Sequence, residues 1–308
     1  MSGQGSARKV ERGSLPRVVL VTRPTEYALL LQRHATHAQA AFFLRNRGQD
    51  IALAHGRYLQ QEAAVASVAS AVPARWRRSR IGREDLSRFV FEPEDVVVAI
   101  GQDGLVANTA KYLRGQVVIG VNPAPEQYDG VLVRHAPSRA EALLRAHQAD
   151  VLAVEERTMV EACLDDGQTL LSLNEVFVGH RGHQSARYRI RYGGVSEHQS
   201  SSGVIVTTGT GATGWACSIN RGRAEALALP GPSEPGLAYF VREAFPSVAT
   251  GTRLTAGAVP ATACLELVSE LDEGGVIFGD GIEADYLDFA WGMKATIRVA
   301  DTRLRLAC

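Results

Sequence analysis

The sequence reads as an α/β half with a doubly wound parallel sheet followed by a β-rich half, and three observations predict it. Short apolar, β-branched runs at residues 18–22 (VVLVT), 96–100 (VVVAI) and 117–121 (VVIGV) have the composition of parallel strands buried on both faces. Stretches of helical spacing separate them, the alternation that builds a parallel sheet. After Pro137 the texture changes to short strands divided by Gly-rich or polar turns, with ARYRIRY (186–192) alternating at the two-residue period of a half-exposed strand.

In chain order, the first run leads into a helix expected over 27–46, which Gly48 would terminate. A weaker helix is expected over 59–71, closed by Pro73, and the basic cluster ARWRRSRIGR (74–83) reads as a solvated loop. The strand at 96–100 ends on Gly101, a helix follows to Leu113, and the third strand leads to a Pro-bearing linker at 123–137. One more helix, over 139–148, precedes the β-rich segments LLSLNEVFVG, SGVIVTT, CLELVSE, GVIFGDG and ATIRVA.

Composition narrows the function classes. With 33 basic and 33 acidic residues the net charge is zero, which argues against a nucleic-acid partner. No apolar run approaches the roughly 20 residues that span a bilayer, and the polar first 15 residues lack the apolar stretch of a secretory signal. The 4 cysteines are scattered without a CxxC pair, so neither a disulfide framework nor a zinc site is expected. A cytoplasmic protein with a disordered arm at 1–15 is the expectation.

Three segments have the residue types that chemistry needs. Gly101-Gln102-Asp103-Gly104 lies directly after a strand and before a helix, where open parallel sheets bind ligands. Glycines there let backbone N–H groups approach a phosphate, and a carboxylate among them can take a proton from an attacking hydroxyl. The same residues also make an ordinary Asp-Gly turn. GTGATG (209–214) matches the dinucleotide fingerprint in letters, yet it lies in the β-rich half with no acidic strand end about 20 residues on. Its interleaved Thr207, Thr208, Thr210 and Thr213 suit a nucleotide or a plain hairpin turn alike. Asn174-Glu175 interrupts an apolar strand, so both side chains need partners, from the backbone or from a ligand. His34 and His37 miss the i, i+4 metal spacing, and neither a P-loop nor a G-x-S-x-G elbow is present.

Taken together and in order, these segments resemble the NAD kinase family. Its GGDGT motif corresponds to residues 101–105, its G-x-N segment to Gly120-Val121-Asn122, its Asn-Glu motif to Asn174-Glu175, its Gly-rich threonine motif to residues 208–215, and a late Asp-Gly turn to Asp280-Gly281. LNEVFVG, SSGVIVTTGTGATGW and SINR look most like the mitochondrial-type branch. The resemblance implies an α/β domain over 16–137 and a β-rich NAD-binding domain over 138–292, with a final strand near 293–308 returning to the first. It implies transfer of the ATP γ-phosphoryl, with Mg2+ or another divalent cation carried by ATP, to the adenosine-ribose 2′-hydroxyl of NAD.

Under it Asp103 is the general base, and Gly101, Gln102, Gly104 and Asn122 meet phosphates. Asn174, Glu175, Ser202, Thr208, Thr210, Thr213 and Trp215 hold NAD, no protein metal ligand is assigned, and a homodimer or homotetramer is implied. Two residues depart from the motif: Gln102 replaces its second glycine, where it would obstruct the donor or add an amide contact, and Leu105 replaces its threonine, removing a hydroxyl. These departures leave two alternatives, a nucleotide-binding protein of the same fold without turnover and a kinase of a lipid or sugar acceptor.

Overall fold

The computed structural model describes residues 15–308, so the arm expected at 1–15 lies, apart from Leu15, outside the described residues. The chain runs β1 (Arg17–Thr22), α1 (Glu26–His34), α2 (His37–Arg45), α3 (Ile51–Ala71), β2 (Arg77–Gly82), β3 (Val96–Ile100), α4 (Asp103–Ala110), β4 (Val117–Val121), α5 (Ala140–Gln148) and β5 (Val154–Arg157). Then come β6 (Val160–Leu164), β7 (Thr169–Ser172), β8 (Glu175–His180), β9 (Ala186–Tyr192), β10 (Val195–Ser201) and β11 (Val204–Thr207). The short α6 (Trp215–Arg221) leads to β12 (Gly236–Val241), β13 (Ala256–Pro260), β14 (Leu265–Ser269), β15 (Gly275–Gly279), β16 (Tyr286–Asp288), β17 (Lys294–Val299) and β18 (Leu304–Ala307).

Three six-stranded sheets result. The first has the order β2-β1-β3-β4-β18-β5, parallel except where β5 pairs antiparallel with β18. Every residue of β3 and β4 is buried, as their unbroken apolar runs require. Helices α3 and α5 cover one face, around Val65, Val68, Leu143, Leu144 and Trp76. The other face carries α4, and α4 is covered in turn by Leu171 and Leu173 from the β-rich half. The other two sheets, β10-β9-β14-β17-β6-β7 and β13-β12-β11-β8-β15-β16, pack face to face around a core that includes Tyr188, Tyr239, Ile190 and Val206.

The structure departs from the expected elements in three places. The helix expected over 27–46 breaks at Ala35 (φ 62°), because the Thr36 hydroxyl accepts from the Gln39 N–H and starts α2 as a new helix. The weaker helix begins earlier than expected, where the Asp50 carboxylate accepts from the Ala52 N–H to cap α3. The basic cluster is not a loop: Arg77–Gly82 is the parallel edge strand β2, whose arginines face water, as edge strands commonly do. In addition, α5 and β5 pack with the first sheet, so the change of layer comes between Arg157 and Val160, later than Pro137.

Close backbone approach fixes the segment after β4. A Cβ on Gly120 would stand 2.0 Å from the Leu132 carbonyl oxygen, so the loop at 130–133 can lie against β4 only if residue 120 is glycine. Gly120→Ala is therefore expected to destabilise the fold by about 2 kcal/mol through overpacking, read as an earlier urea midpoint at unchanged slope. An unaltered midpoint would show that the loop yields freely.

Candidate functional site

The turn after β3 is built by backbone bonds. Gly101 N–H donates to the Val121 carbonyl (3.0 Å), and the Gln102 carbonyl accepts from Leu105 N–H (2.8 Å) as α4 begins. Asp103 sits at the first position of that helix. Its carboxylate accepts from three successive amides of the neighbouring loop, Val131 (3.0 Å), Leu132 (2.8 Å) and Val133 (3.0 Å). Of the roughly four lone-pair positions of a carboxylate, three are thus taken and one remains. Gly104 is exposed, and a Cβ there would meet nothing within 4 Å. Leu105 is 1% exposed and packs beneath the turn, where a Cβ on Gly101 would stand 3.2 Å from its Cδ2.

Asn122 is buried, donating to the Tyr128 carbonyl (2.9 Å) and accepting from Ala124 N–H (2.9 Å). It shapes its own loop. Beside the turn, at the carboxyl ends of β1 and β3, a cavity of about 390 Å³ opens between Arg23, Gln61, Gly101, Gln102 and Tyr128.

On the other side of α4, the turn between β7 and β8 carries Asn174 and Glu175. Asp280, held at φ 53°, accepts with its carboxylate from Leu173 N–H (2.9 Å), Asn174 N–H (2.7 Å) and Glu175 N–H (3.4 Å). Its own carbonyl accepts from the Asn108 amide of α4 (3.0 Å), which joins the two halves. Asp285 adds a second tie, accepting from Lys111 Nζ (2.8 Å) and from the Tyr112 hydroxyl. The Asn174 side-chain amide and the Glu175 carboxyl have no hydrogen-bond partner among the described residues. Burial and the neighbouring Asp280 push the Glu175 carboxyl up to about 7, and burial outweighs the three amides to raise Asp280 as well.

The threonine-rich segment packs onto that turn. Strand β11 passes into a 3₁₀ turn at Gly211–Thr213 and then α6, so it is neither a hairpin nor a long dinucleotide helix. Thr208 is fully buried: its hydroxyl donates to the Leu173 carbonyl (2.5 Å) and accepts from the Thr210 and Gly211 amides (3.1 and 3.3 Å). The Asn174 carbonyl accepts from Thr208 N–H (2.8 Å) and lies where a Cβ on Gly211 would be 2.3 Å away. Thr213 donates to the Thr210 carbonyl (3.3 Å). Thr210 accepts from Arg157 Nη1 (3.4 Å).

Arg157, its side chain 4% exposed, was not among the residues expected from sequence. Its Nε lies 3.1 Å from the Glu155 carboxylate but off the line of a hydrogen bond, and Glu155 also pairs with Arg134 (2.7 Å). A polar chain therefore runs from the loop that Asp103 holds, through Arg134, Glu155 and Arg157, to Thr210. Trp215 stacks on Phe177 (6.1 Å, 14°) beneath the Arg242 guanidinium (4.9 Å), and Phe177 contacts Phe278 (4.9 Å). Ser202, whose N–H donates to the Arg242 carbonyl (2.8 Å), lies by this aromatic platform, at the opposite end of β11 from Thr208.

The site thus has a polar centre at the junction of the halves, a cavity on the α/β side and an aromatic platform on the β-rich side. Arg157, Gln61 and Phe177 carried no sequence signal: one is a charged residue among acids, one a helix glutamine, one an apolar strand residue.

No family model matches the chain. Curated relatives do. The human mitochondrial NAD kinase 2 is 27% identical over 259 residues, covering 68% of this chain and 52% of its own length. The NAD kinase of Methylococcus capsulatus is 32% identical over 133 residues, covering 40% of this chain and 44% of its own. The chain spans about half the length of the curated relatives it matches. Among solved structures, an Archaeoglobus fulgidus NAD kinase in complex with ATP aligns with a TM-score of 0.56 at 19% identity, covering 95% of this chain and 93% of that one. A yeast NADH kinase complexed with NADH gives 0.59 at 13%, covering 96% and 84%. The chain is accordingly NAD kinase-like, built on the fold of that family and related in sequence to its mitochondrial-type and bacterial members.

Proposed function

We propose that the chain is an ATP-dependent NAD kinase, passing the γ-phosphoryl of ATP to the adenosine-ribose 2′-hydroxyl of NAD. The observation that carries the reading is the junction itself, where the Asp103 turn and the unpartnered Asn174 and Glu175 side chains flank the same buried helix, α4. In the transfer, the 2′-oxygen forms a bond to Pγ while the bridging oxygen leaves with its electron pair as ADP. The hydroxyl proton passes to the free lone pair of Asp103 and then to solvent. Such a transfer asks mainly for positioning and charge neutralisation. The three amides on Asp103 support the first, and Arg157, the buried cation beside Thr210, supports the second.

Asn174 and Glu175 suit ribose hydroxyls, and the platform of Trp215 and Phe177 suits a base. Thr208, Thr210 and Thr213 act in this reading through the backbone they hold, and Asn122 by shaping the loop beside the cavity.

Among the described residues no group of three or more His, Cys, Asp or Glu side chains could hold a metal. Mg2+ arriving on a triphosphate keeps several waters and takes one or two carboxylates, so this reading asks for no cage of protein ligands. Glu26 is the carboxylate that lines the cavity, where it also lies 3.7 Å from Arg57 Nη1. Bound there, the ion would neutralise phosphate charge. A homodimer or homotetramer and a cytoplasmic location belong to the same proposal. No described helix is long and apolar enough to cross a membrane.

The direct test is NADP formation from NAD, ATP and magnesium, with Asp103→Asn alongside. The variant is expected to lose about 10²-fold or more in turnover while still binding NAD. Unchanged turnover would remove Asp103 from the reaction, and lost NAD binding would reduce it to a support for the loop.

Glu175 supplies a second test. Folding lifts its carboxyl from an ordinary 4.5 to about 7, so the folded state holds the extra proton between those values and stability declines as pH rises through them. Glu175→Gln is expected to be more stable than the parent above pH 7, by on the order of 1–3 kcal/mol, with the advantage gone below about pH 4.5. Parallel stability curves from pH 4 to 8 would refute the burial of an ionisable group there.

A further inference from the structure

Gln102 stands where the related motif has glycine, and it has no local reason to be there. It caps α4 without a side-chain hydrogen bond, and its φ of −113° asks for no special residue. What it does instead is reach across the end of the sheet. Its Oε1 accepts from Arg23 Nη1 at 3.2 Å, and its amide lies beside the Tyr128 hydroxyl. Gln102 therefore bridges the segment after β1 and the loop after β4, across the mouth of the 390 Å³ cavity.

The two ends of that cavity differ chemically. At the mouth, Arg23 has no carboxylate partner among the described residues, and Gln102, with its Oε1 taken by Arg23 and one side of its amide by Tyr128, keeps one N–H to offer. Two adjacent N–H donor groups, one of them cationic, suit phosphate oxygens. Deeper in, Gln61 is 7% exposed; its Nε2 donates to the Ile100 carbonyl (2.8 Å), which fixes the amide's orientation. Its Oε1 accepts from no described residue, and Gln61 lines the cavity, so this oxygen is open to a ligand hydroxyl or amine. The volume lies within the range of small-molecule sites.

We infer that Arg23 and Gln102 form a clamp on the phosphate chain of a nucleoside triphosphate whose nucleoside reaches Gln61, which makes Gln102 a donor-specificity residue and not an obstruction. The inference rests on the kinase reading for the role of that nucleotide, as phosphate donor. The clamp also explains why the motif tolerates the larger residue. Gln102 is exposed and turns outward to Arg23, so its side chain stands at the rim of the cavity and leaves the space inside open.

The experiment is calorimetric titration of the full chain with ATP and with inorganic tripolyphosphate, using parent, Gln102→Gly, Arg23→Gln and the double variant, and NAD as control ligand. Glycine is a tolerated N-cap, so Gln102→Gly is expected to fold. Each single variant is expected to weaken ATP binding about tenfold, and the double variant little more, because the two residues act as one unit. NAD affinity is expected to stay within about twofold, and the parent to bind ATP at least about tenfold more tightly than tripolyphosphate.

Unchanged or tighter ATP binding in Gln102→Gly, or no ATP binding by the parent, would overturn the clamp. Equal affinity for tripolyphosphate and ATP would overturn the nucleoside assignment. NADP formation by a parent whose variants bind ATP normally would sink the clamp and spare the kinase reading. ATP binding that responds as expected, without any NADP, would do the reverse.

Discussion

Asp280 is the constraint on which the arrangement depends. A carboxylate taken out of water costs free energy unless its oxygens are occupied, and the donors to this half-buried one are the amides of Leu173, Asn174 and Glu175. Those bonds fix the turn that presents Asn174 and Glu175, and through the Asn174 carbonyl they fix the start of the threonine segment. The Asp280 carbonyl then takes the Asn108 amide, so the helix that begins at Asp103 is referenced to the same residue. One residue thus sets the position of groups from both halves. Its left-handed conformation is the backbone strain that permits this.

Asp103 repeats the same device in the other half. There too a carboxylate binds three successive amides, and there too the bound loop lies against a strand that glycine alone permits. The two halves meet as two rigid turns on either side of α4, whose residues from Leu105 to Ala110 are all buried. The proposed phosphoryl transfer would reward that rigidity, because misplacing the reacting atoms by an ångström is costly. The departures from the related motif are absorbed without loosening it: Leu105 fills the core beneath the turn, and Gln102 reaches outward from it.

How far the sequence could be read follows from the physics of each element. Strands β3 and β4 were legible because burial on both faces forces an unbroken apolar run, and the Gly-Asp turn because a parallel sheet puts function at its carboxyl end. Strand β2 was hidden because its register is set by β1 while its arginines obey the solvent. The break at Ala35 was hidden because a threonine that caps a helix looks the same as one inside it. Among the site residues, the sequence indicated the types but not the tasks. Asn122 and Thr208 spend their polar groups on backbone, whereas Arg157 and Gln61 matter only through neighbours far away in the chain.

Strand β18 has a consequence for how the molecule is made. It lies between β4 and β5, so β5 has no partner in the first sheet until residues 304–307 arrive. The antiparallel sandwich waits almost as long, because β17 (Lys294–Val299), which joins β14 to β6, directly precedes β18 in the chain. Both layers therefore depend on these two adjacent strands, and pairing over such long sequence separations is the kind of contact that forms slowly. Until β18 pairs with it, β4 presents an unpaired, wholly apolar strand edge, the kind of edge that invites wrong pairing.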